Sequence, residues 1–181
     1  MSDIFMQTAS GRRLDLLEPE ADSIFFDDIA WALSNINRFT GHLNPPYSVA
    51  AHSYYAARTA TAMHYKIDTV RWALMHDAAE AYIGDISKPM KVAIGPIIKQ
   101  IEGNMLQLIG KVFGLPRFVP KEVGLIDDSL RMAEAKNFLG GPKDDWPGQP
   151  DKVVVLGEIM PISSTMSYHL FTGYAMELGL I

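Results

Sequence analysis

Apolar positions recur every three or four residues along most of this chain, and alternation at every second residue is confined to its beginning. Ile4-Phe5-Met6-Gln7-Thr8, a Ser10-Gly11 turn and Arg12 to Leu17 predict a short hairpin over 4–17, stopped by Glu18-Pro19-Glu20. Ser23 to Phe26 reads as extended, and Asp27 or Asp28 is placed to cap a helix with Ile29, Leu33 and Ile36 on one stripe. A polar loop, Ile36-Asn37-Arg38-Phe39-Thr40-Gly41-His42, follows. Ser48 then caps a second helix from Val49 to about Tyr65, kept thin by Ala50, Ala51, Ala56, Ala57, Ala60 and Ala62 so that neighbours can approach closely.

Asp68 or Thr69 is the expected cap of a third helix that continues through Leu74-Met75-His76-Asp77-Ala78-Ala79-Glu80 and ends at Gly84. Ile86-Ser87-Lys88-Pro89 reads as a loop. Pro96 opens a fourth helix whose Ile97, Ile101, Met105, Leu108 and Val112 form an expected core stripe, ended by Gly114 and Pro116. A fifth runs from Pro120 to about Leu139 with Ile126, Leu130 and Ala133 inward and Asp127 beside them. Gly140 to Pro150 is a loop that Trp146 can pin, and Val153-Val154-Val155-Leu156 is too short to assign. Ser163 or Ser164 caps a last helix, about 163–178, with Met166, Leu170 and Tyr174 inward. The expected architecture is an all-α bundle with an N-terminal hairpin, one domain over 1–181 with its helical core at about 28–140.

Composition narrows the chemistry. With no cysteine there are no disulfides, thiolate sites or Cys nucleophiles, which leaves imidazole and carboxylate as metal ligands and fits a reducing cytoplasm. A net charge of −5 argues against duplex nucleic acid or an anionic membrane as partner, while a small anionic substrate needs only a few local cations. No apolar run is long enough for a membrane span, and Met1-Ser2-Asp3 lacks the basic start of a signal peptide.

Within that frame the stretch around His76 carries the chemistry. On a helix His76, Asp77 and Glu80 share one arc among apolar or small neighbours. A His and an Asp packed inward are costly unless satisfied, and a divalent cation satisfies both. Asp85, just past the Gly84 break, is placed to orient such a site from behind. An ordinary surface His-Asp pair is the competing reading, outweighed by Glu80, the Gly-Asp stop and the apolar flanks. His52 on the second helix and Asp127 on the fifth complete a set of candidate ligands. Two imidazoles and two carboxylates suit zinc, manganese, cobalt or iron.

The order H…HD…D along a helical chain resembles the HD-domain metal-dependent phosphohydrolases. Asn37-Arg38-Phe39 followed by Val49-Ala50-Ala51-His52-Ser53 is similar to a pattern of the bacterial 5′-deoxynucleotidases, and His76 to Lys91 is similar to their HD block and to its phage-encoded form. Gln7 to Arg13 and Asp28 to Ser34 also resemble the phage group, some of whose members are dATP triphosphohydrolases. The match runs from about residue 4 to residue 140. It implies metal ligands His52, His76, Asp77 and Asp127, with Asp128 as the alternative to Asp127. Asp127 is preferred because it stands seven before Glu134, as in the phage group, and follows the apolar Ile126.

The resemblance further implies a divalent metal (zinc, cobalt or manganese, with room for a second, substrate-bound ion), a nucleotide substrate, a homo-oligomer and a cytoplasmic location, that of the host if the gene is phage-borne. Glu80 is then the acid-base group, with Asp85 supporting it. Arg38 and Lys88 would meet phosphate, and Phe39, Trp31 and Pro89 would form an apolar wall against the sugar. Phe39 stands where characterised deoxynucleotidases carry Trp, which leaves that wall smaller. His42, near the site, is a candidate substrate contact, whereas His64 and His169 carry no assigned role. A catalytically silent nucleotide-binding module and a phosphodiesterase are the competing functional classes.

Overall fold

The computed structural model describes residues 4–141, 154 and 157–181. Trp146 and most of Val153–Leu156 lie outside that range. Strands β1 (Phe5–Gln7) and β2 (Arg13–Asp15) pair antiparallel, with Met6 opposite Leu14, so the expected hairpin is present. Helices follow: α1 (Phe26–Asn35), α2 (Val49–Ala62), α3 (Ile67–Met75), α4 (Glu80–Ile83), α5 (Lys88–Ile94), α6 (Pro96–Val112), α7 (Lys121–Phe138) and α8 (Ser164–Glu177). The fold is all-α with a small sheet.

Helix α2 is the axle of the bundle, with α1, α3, α7 and α8 all packed against it. Its alanines explain why. Ala50, Ala51, Ala56, Ala57 and Ala60 are fully buried, so four helices can close on a narrow shaft. Ser48 caps it as expected, its Oγ accepting from the Ala51 amide at 3.2 Å. Ser163 caps α8 in the same way. The core continues through Ile29, Leu33, Leu74, Met75, Ile126, Leu130 and Phe171.

Several local expectations are corrected. No carboxylate caps α1. Its Asp28 instead accepts from the Ser10 amide and hydroxyl, both at 2.7 Å, and ties the hairpin turn to the bundle. Ile36 leaves α1 as extended chain, and Asn37 pairs with Ser48. Lys66 rather than Asp68 or Thr69 precedes the first turn of α3. Lys88 and Pro89 are not loop but open α5, where proline suits a first turn because its missing N–H has no helical partner there.

On α6 the inward residues are Ile98, Met105, Ile109 and Gly110, while Ile97 and Val112 are exposed. Gly110 sits there because Trp72 fills the space. A Cβ at that position would meet the indole at 2.9 Å. On α8 the inward face is Ser167, Phe171 and Ala175, one position on from Met166, Leu170 and Tyr174. The Phe171 ring stacks on Phe26 at 5.6 Å and Ser48 donates to Ser167 at 3.0 Å, contacts that set the rotation of the helix.

The largest correction bears on the site. The third helix is not continuous to Gly84 but breaks after Met75 into a turn with three-residue bonds. The Ala78 amide reaches Met75 O at 3.0 Å, Glu80 reaches Asp77 O at 2.9 Å and Tyr82 reaches Ala79 O at 3.0 Å. Such tightening advances side chains by a third of a turn each, which changes where 76, 77 and 80 point. His76 stabilises the break. Its Nδ1–H donates to the Ala73 carbonyl at 2.9 Å, an oxygen that in an uninterrupted helix accepts from residue 77.

Candidate metal centre

Three segments deliver donors to one point: α2 brings His52, the tight turn brings His76 and Asp77, and α7 brings Asp127. His52 Nε2 lies 3.3 Å from His76 Nε2, 3.1 Å from Asp127 Oδ1 and 3.6 Å from Asp77 Oδ2. His76 Nε2 lies 3.4 Å from Asp77 Oδ2 and 3.9 Å from Asp127 Oδ1. Bonds of ~2.1 Å at right or tetrahedral angles put neighbouring ligand atoms roughly 3–3.4 Å apart, so the spacing suits one cation. His52, His76 and Asp127 form a group that can hold a metal ion. Asp128 points away and pairs with Arg131 at 3.0 Å.

Both imidazoles are set from behind. The Ala73 carbonyl occupies His76 Nδ1, and Glu134 Oε1 occupies His52 Nδ1 at 2.7 Å. Each Nε2 lone pair is thereby aimed into the cluster, the arrangement that orients ligating histidines. Burial and the Arg38 guanidinium pull the His52 pKa down, but Glu134 and Asp127 outweigh them and hold it at about 9. Burial also opposes protonation of His76, and Asp77 and Asp127 raise its pKa nonetheless. Burial works against ionisation of Asp127 as well, yet the two imidazoles hold it well below the usual carboxylate range. The carboxylates thus favour positive charge at this point, held by protons on the imidazoles that a divalent cation would replace.

Arg38 enters from the loop after α1 and is buried. Its Nε donates to Glu134 Oε2 at 2.9 Å and Nη1 to Asp77 Oδ2 at 3.3 Å, with Nη2 3.8 Å from Asp127 Oδ1. Burial opposes its charge, but Glu134, Asp77 and Asp127 outweigh that and keep the guanidinium protonated. Its amide donates to Tyr47 O at 2.9 Å, and the next two residues, Phe39 and Thr40, both take φ near +54°. Consecutive left-handed non-glycine residues carry strain on the order of 1–3 kcal/mol each, and such strain gathers at ligand clamps.

Glu80 is 4% exposed, and its Oε2 has no hydrogen-bond partner among the described residues. Burial, then Asp77 and Asp85, push its pKa up to about 10, against the pull of Arg38 and Lys91. Burial likewise raises Asp85. An orphaned carboxylate oxygen beside a donor cluster is what a site for an added cation and its water requires.

Of the other residues expected at the site, Phe39 is half-buried, with the Arg38 guanidinium 5.9 Å from its ring. Lys88 and Pro89 are exposed at the start of α5. Lys91, bonded to Glu102 at 2.7 Å, lies 3.9 Å from Glu80. Trp31 is exposed, and its ring meets Tyr168 of α8 edge-to-face with centroids 6.2 Å apart. His42 is exposed. A separate cleft of about 500 Å³ between the 45–48 loop and the start of α8 is lined by neutral groups such as Asn35, Asn37 and Ser163, and contains none of the donors.

Sequence reading used Glu134 only as a landmark for Asp127 and gave no role to it or to Tyr47, both fully buried. A glutamate two helical turns after Asp127, on a face with Leu130, was the available signal for the first.

The chain matches a family model described as HD domain over residues 32–123. It is also 32% identical over 169 residues to an uncharacterized protein of Rhodobacter capsulatus, covering 87% of this chain and 86% of that one. It is 31% identical over 170 residues to the uncharacterized protein YfdR of Escherichia coli strain K12, covering 92% and 91%. The chain belongs to the HD-domain family. The matched HD segment contains His52, His76 and Asp77 but ends in the first turn of α7, before Asp127, so it is the fold that brings Asp127 and Glu134 to them. HD domains bind divalent metals and generally hydrolyse phosphate esters, and no helix of the described residues is long and apolar enough to cross a membrane.

Proposed function

We propose that this HD domain is a metal-dependent phosphohydrolase acting on deoxynucleotides, with dATP as substrate and deoxyadenosine and triphosphate as products. The observation that carries the hydrolase reading is the convergence of His52, His76, Asp77 and Asp127, with the Arg38 fork reaching the same carboxylates. When bound, a divalent cation such as zinc, cobalt or manganese lowers the pKa of water toward 7 and polarises a phosphoryl oxygen.

The chain's own groups do the rest. Arg38 stays charged in a dry pocket and pairs with phosphate oxygens in place of Asp77 and Asp127. Glu80, protonated near neutral pH while the cation is absent, exchanges a proton with the attacking water or the leaving oxygen, and Asp85 lies close enough to bias that exchange. Phe39, with Trp31 and Pro89 as weaker candidates, would limit room at the sugar, and Lys88 and Lys91 would extend the phosphate contacts. A homo-oligomer in the cytoplasm is the setting we propose.

The choice of dATP rests on the likeness of the N-terminal and HD blocks to phage triphosphohydrolases. The runner-up is a 5′-deoxynucleotidase acting on monophosphates, favoured by the Arg-aromatic loop at 38–39. Product analysis across deoxy- and ribonucleoside mono-, di- and triphosphates tests both. Triphosphate from dATP with dAMP untouched supports the first, and orthophosphate from dAMP with dATP untouched replaces it. Metal and nucleotide binding without turnover of any nucleotide would make the chain a silent binding module.

A further inference from the structure

One helix grips one imidazole from both sides. Asp127 and Glu134, about two turns apart on α7, share a face. Asp127 Oδ1 meets His52 Nε2 at 3.1 Å, and Glu134 Oε1 meets Nδ1 of the same ring at 2.7 Å. The second oxygen of Glu134 is engaged as well, taking Arg38 Nε at 2.9 Å. Glu134 is fully buried, and no water is needed to account for either contact.

We propose that Glu134 is the positioning residue of the site, a single carboxylate that holds the His52 donor and the Arg38 fork in fixed relation. The Arg38 half rests on the proposed phosphohydrolase reading; the His52 half does not. By accepting from Nδ1, Glu134 fixes the tautomer that presents the Nε2 lone pair to a cation and makes the ring a better donor. By accepting from Nε, it uses the inner edge of the guanidinium and leaves Nη1 and Nη2 facing Asp77 and Asp127. The two effects are inseparable, because a shift of the carboxylate toward either partner lengthens its bond to the other. A metal ligand and a phosphate contact are therefore adjusted together.

Glu134→Gln separates this role from simple stability. Each carboxylate oxygen serves a different donor, so in the same pose an amide turns its oxygen to one of them and its NH₂ to the other. Expected for E134Q are an unchanged far-ultraviolet spectrum, zinc affinity lower by about 10–100-fold and a shifted visible spectrum of the cobalt-loaded protein. At saturating metal, KM for the nucleotide should also rise more than kcat falls. On an Arg38→Ala background the KM effect of E134Q should vanish while the zinc effect persists.

Should E134Q fail to fold, Glu134→Asp carries the same measurements, since it keeps the charge but cannot span both donors. Zinc affinity and KM equal to wild type, with only Tm lowered, would overturn the proposal. The zinc and cobalt measurements need no nucleotide. A wild type that binds zinc but hydrolyses nothing therefore defeats the functional reading alone, and the hold of Glu134 on His52 is still decided.

Discussion

Glu80 has two neighbours built in opposite ways. Toward Asp77 lies a centre in which His52 and Glu134 are wholly buried and the polar atoms hold one another. Toward Lys91 lies α5, which buries none of its residues and exposes Val92 by 73%. Buried charges survive only when paired, so each change in the first region strands a partner. Side chains on α5 have little to strand. The contrast implies that reaction chemistry is fixed in the first region, while the second is free to vary in what it selects or touches.

The strongest way to break the comparison is to remove a donor. His52→Ala or Asp127→Ala should abolish metal retention and hydrolysis, a loss beyond the ~10–100-fold typical of outer-shell partners. Asp128→Ala, which removes the more exposed partner of an ion pair with Arg131, should leave both nearly unchanged. Metal analysis of the purified variants with steady-state kinetics checks this, and an inactive Asp128→Ala beside an active Asp127→Ala would reverse the assignment.

Glu80→Ala comes next. It should retain metal but lose roughly 10²-fold or more in kcat, the usual scale for an acid-base group. Normal turnover would remove Glu80 from the chemistry.

The pH dependence of metal binding is a finer test. His52 in the metal-free protein is held at about 9, so below that pH a cation must displace a proton from it. Because His76 is raised as well, affinity should climb by at least ~tenfold per pH unit around neutral pH and flatten above 9, with about one to two protons released on binding. Calorimetry in buffers of different ionisation heat counts those protons.

The smallest effects concern stability alone. Gly110→Ala should cost about 1–3 kcal/mol by forcing Trp72 aside, with kcat unchanged in the folded fraction. Val92→Thr on α5 should stay within about 0.5 kcal/mol of wild type. Denaturant melts rank the two, and a larger loss at Val92 would mean that α5 is covered in solution.

The metal side of the site was legible before any fold because its residues are chemically rare here: five histidines in the chain, two of them in the cluster. Helix existence followed from periodicity and from caps such as Ser48 and Ser163. What periodicity could not reveal was rotation. On α8 the Phe26–Phe171 stack decided which face turned in, and on α6 the bulk of Trp72 did. The break after Met75 was hidden because it hangs on a side-chain bond from His76 to Ala73. The role of Glu134 was hidden for a related reason: its partners are 82 and 96 residues away in the chain. The contact of Trp31 with Tyr168 was likewise hidden, since the two lie on α1 and α8.

The donors at 52, 76, 77 and 127 are spread over three segments that only the folded chain brings together. A cation held by all of them acts as a cross-link, closing loops in the chain much as a disulfide would in a protein that has no cysteine. Because it binds the native state and not the unfolded one, it stabilises by mass action, about 2.7 kcal/mol when free metal is a hundred times its Kd. Thermal stability then becomes a metal gauge. Tm should rise with the logarithm of zinc, cobalt or manganese concentration and fall on chelation, ranking the cations by affinity before any substrate is known.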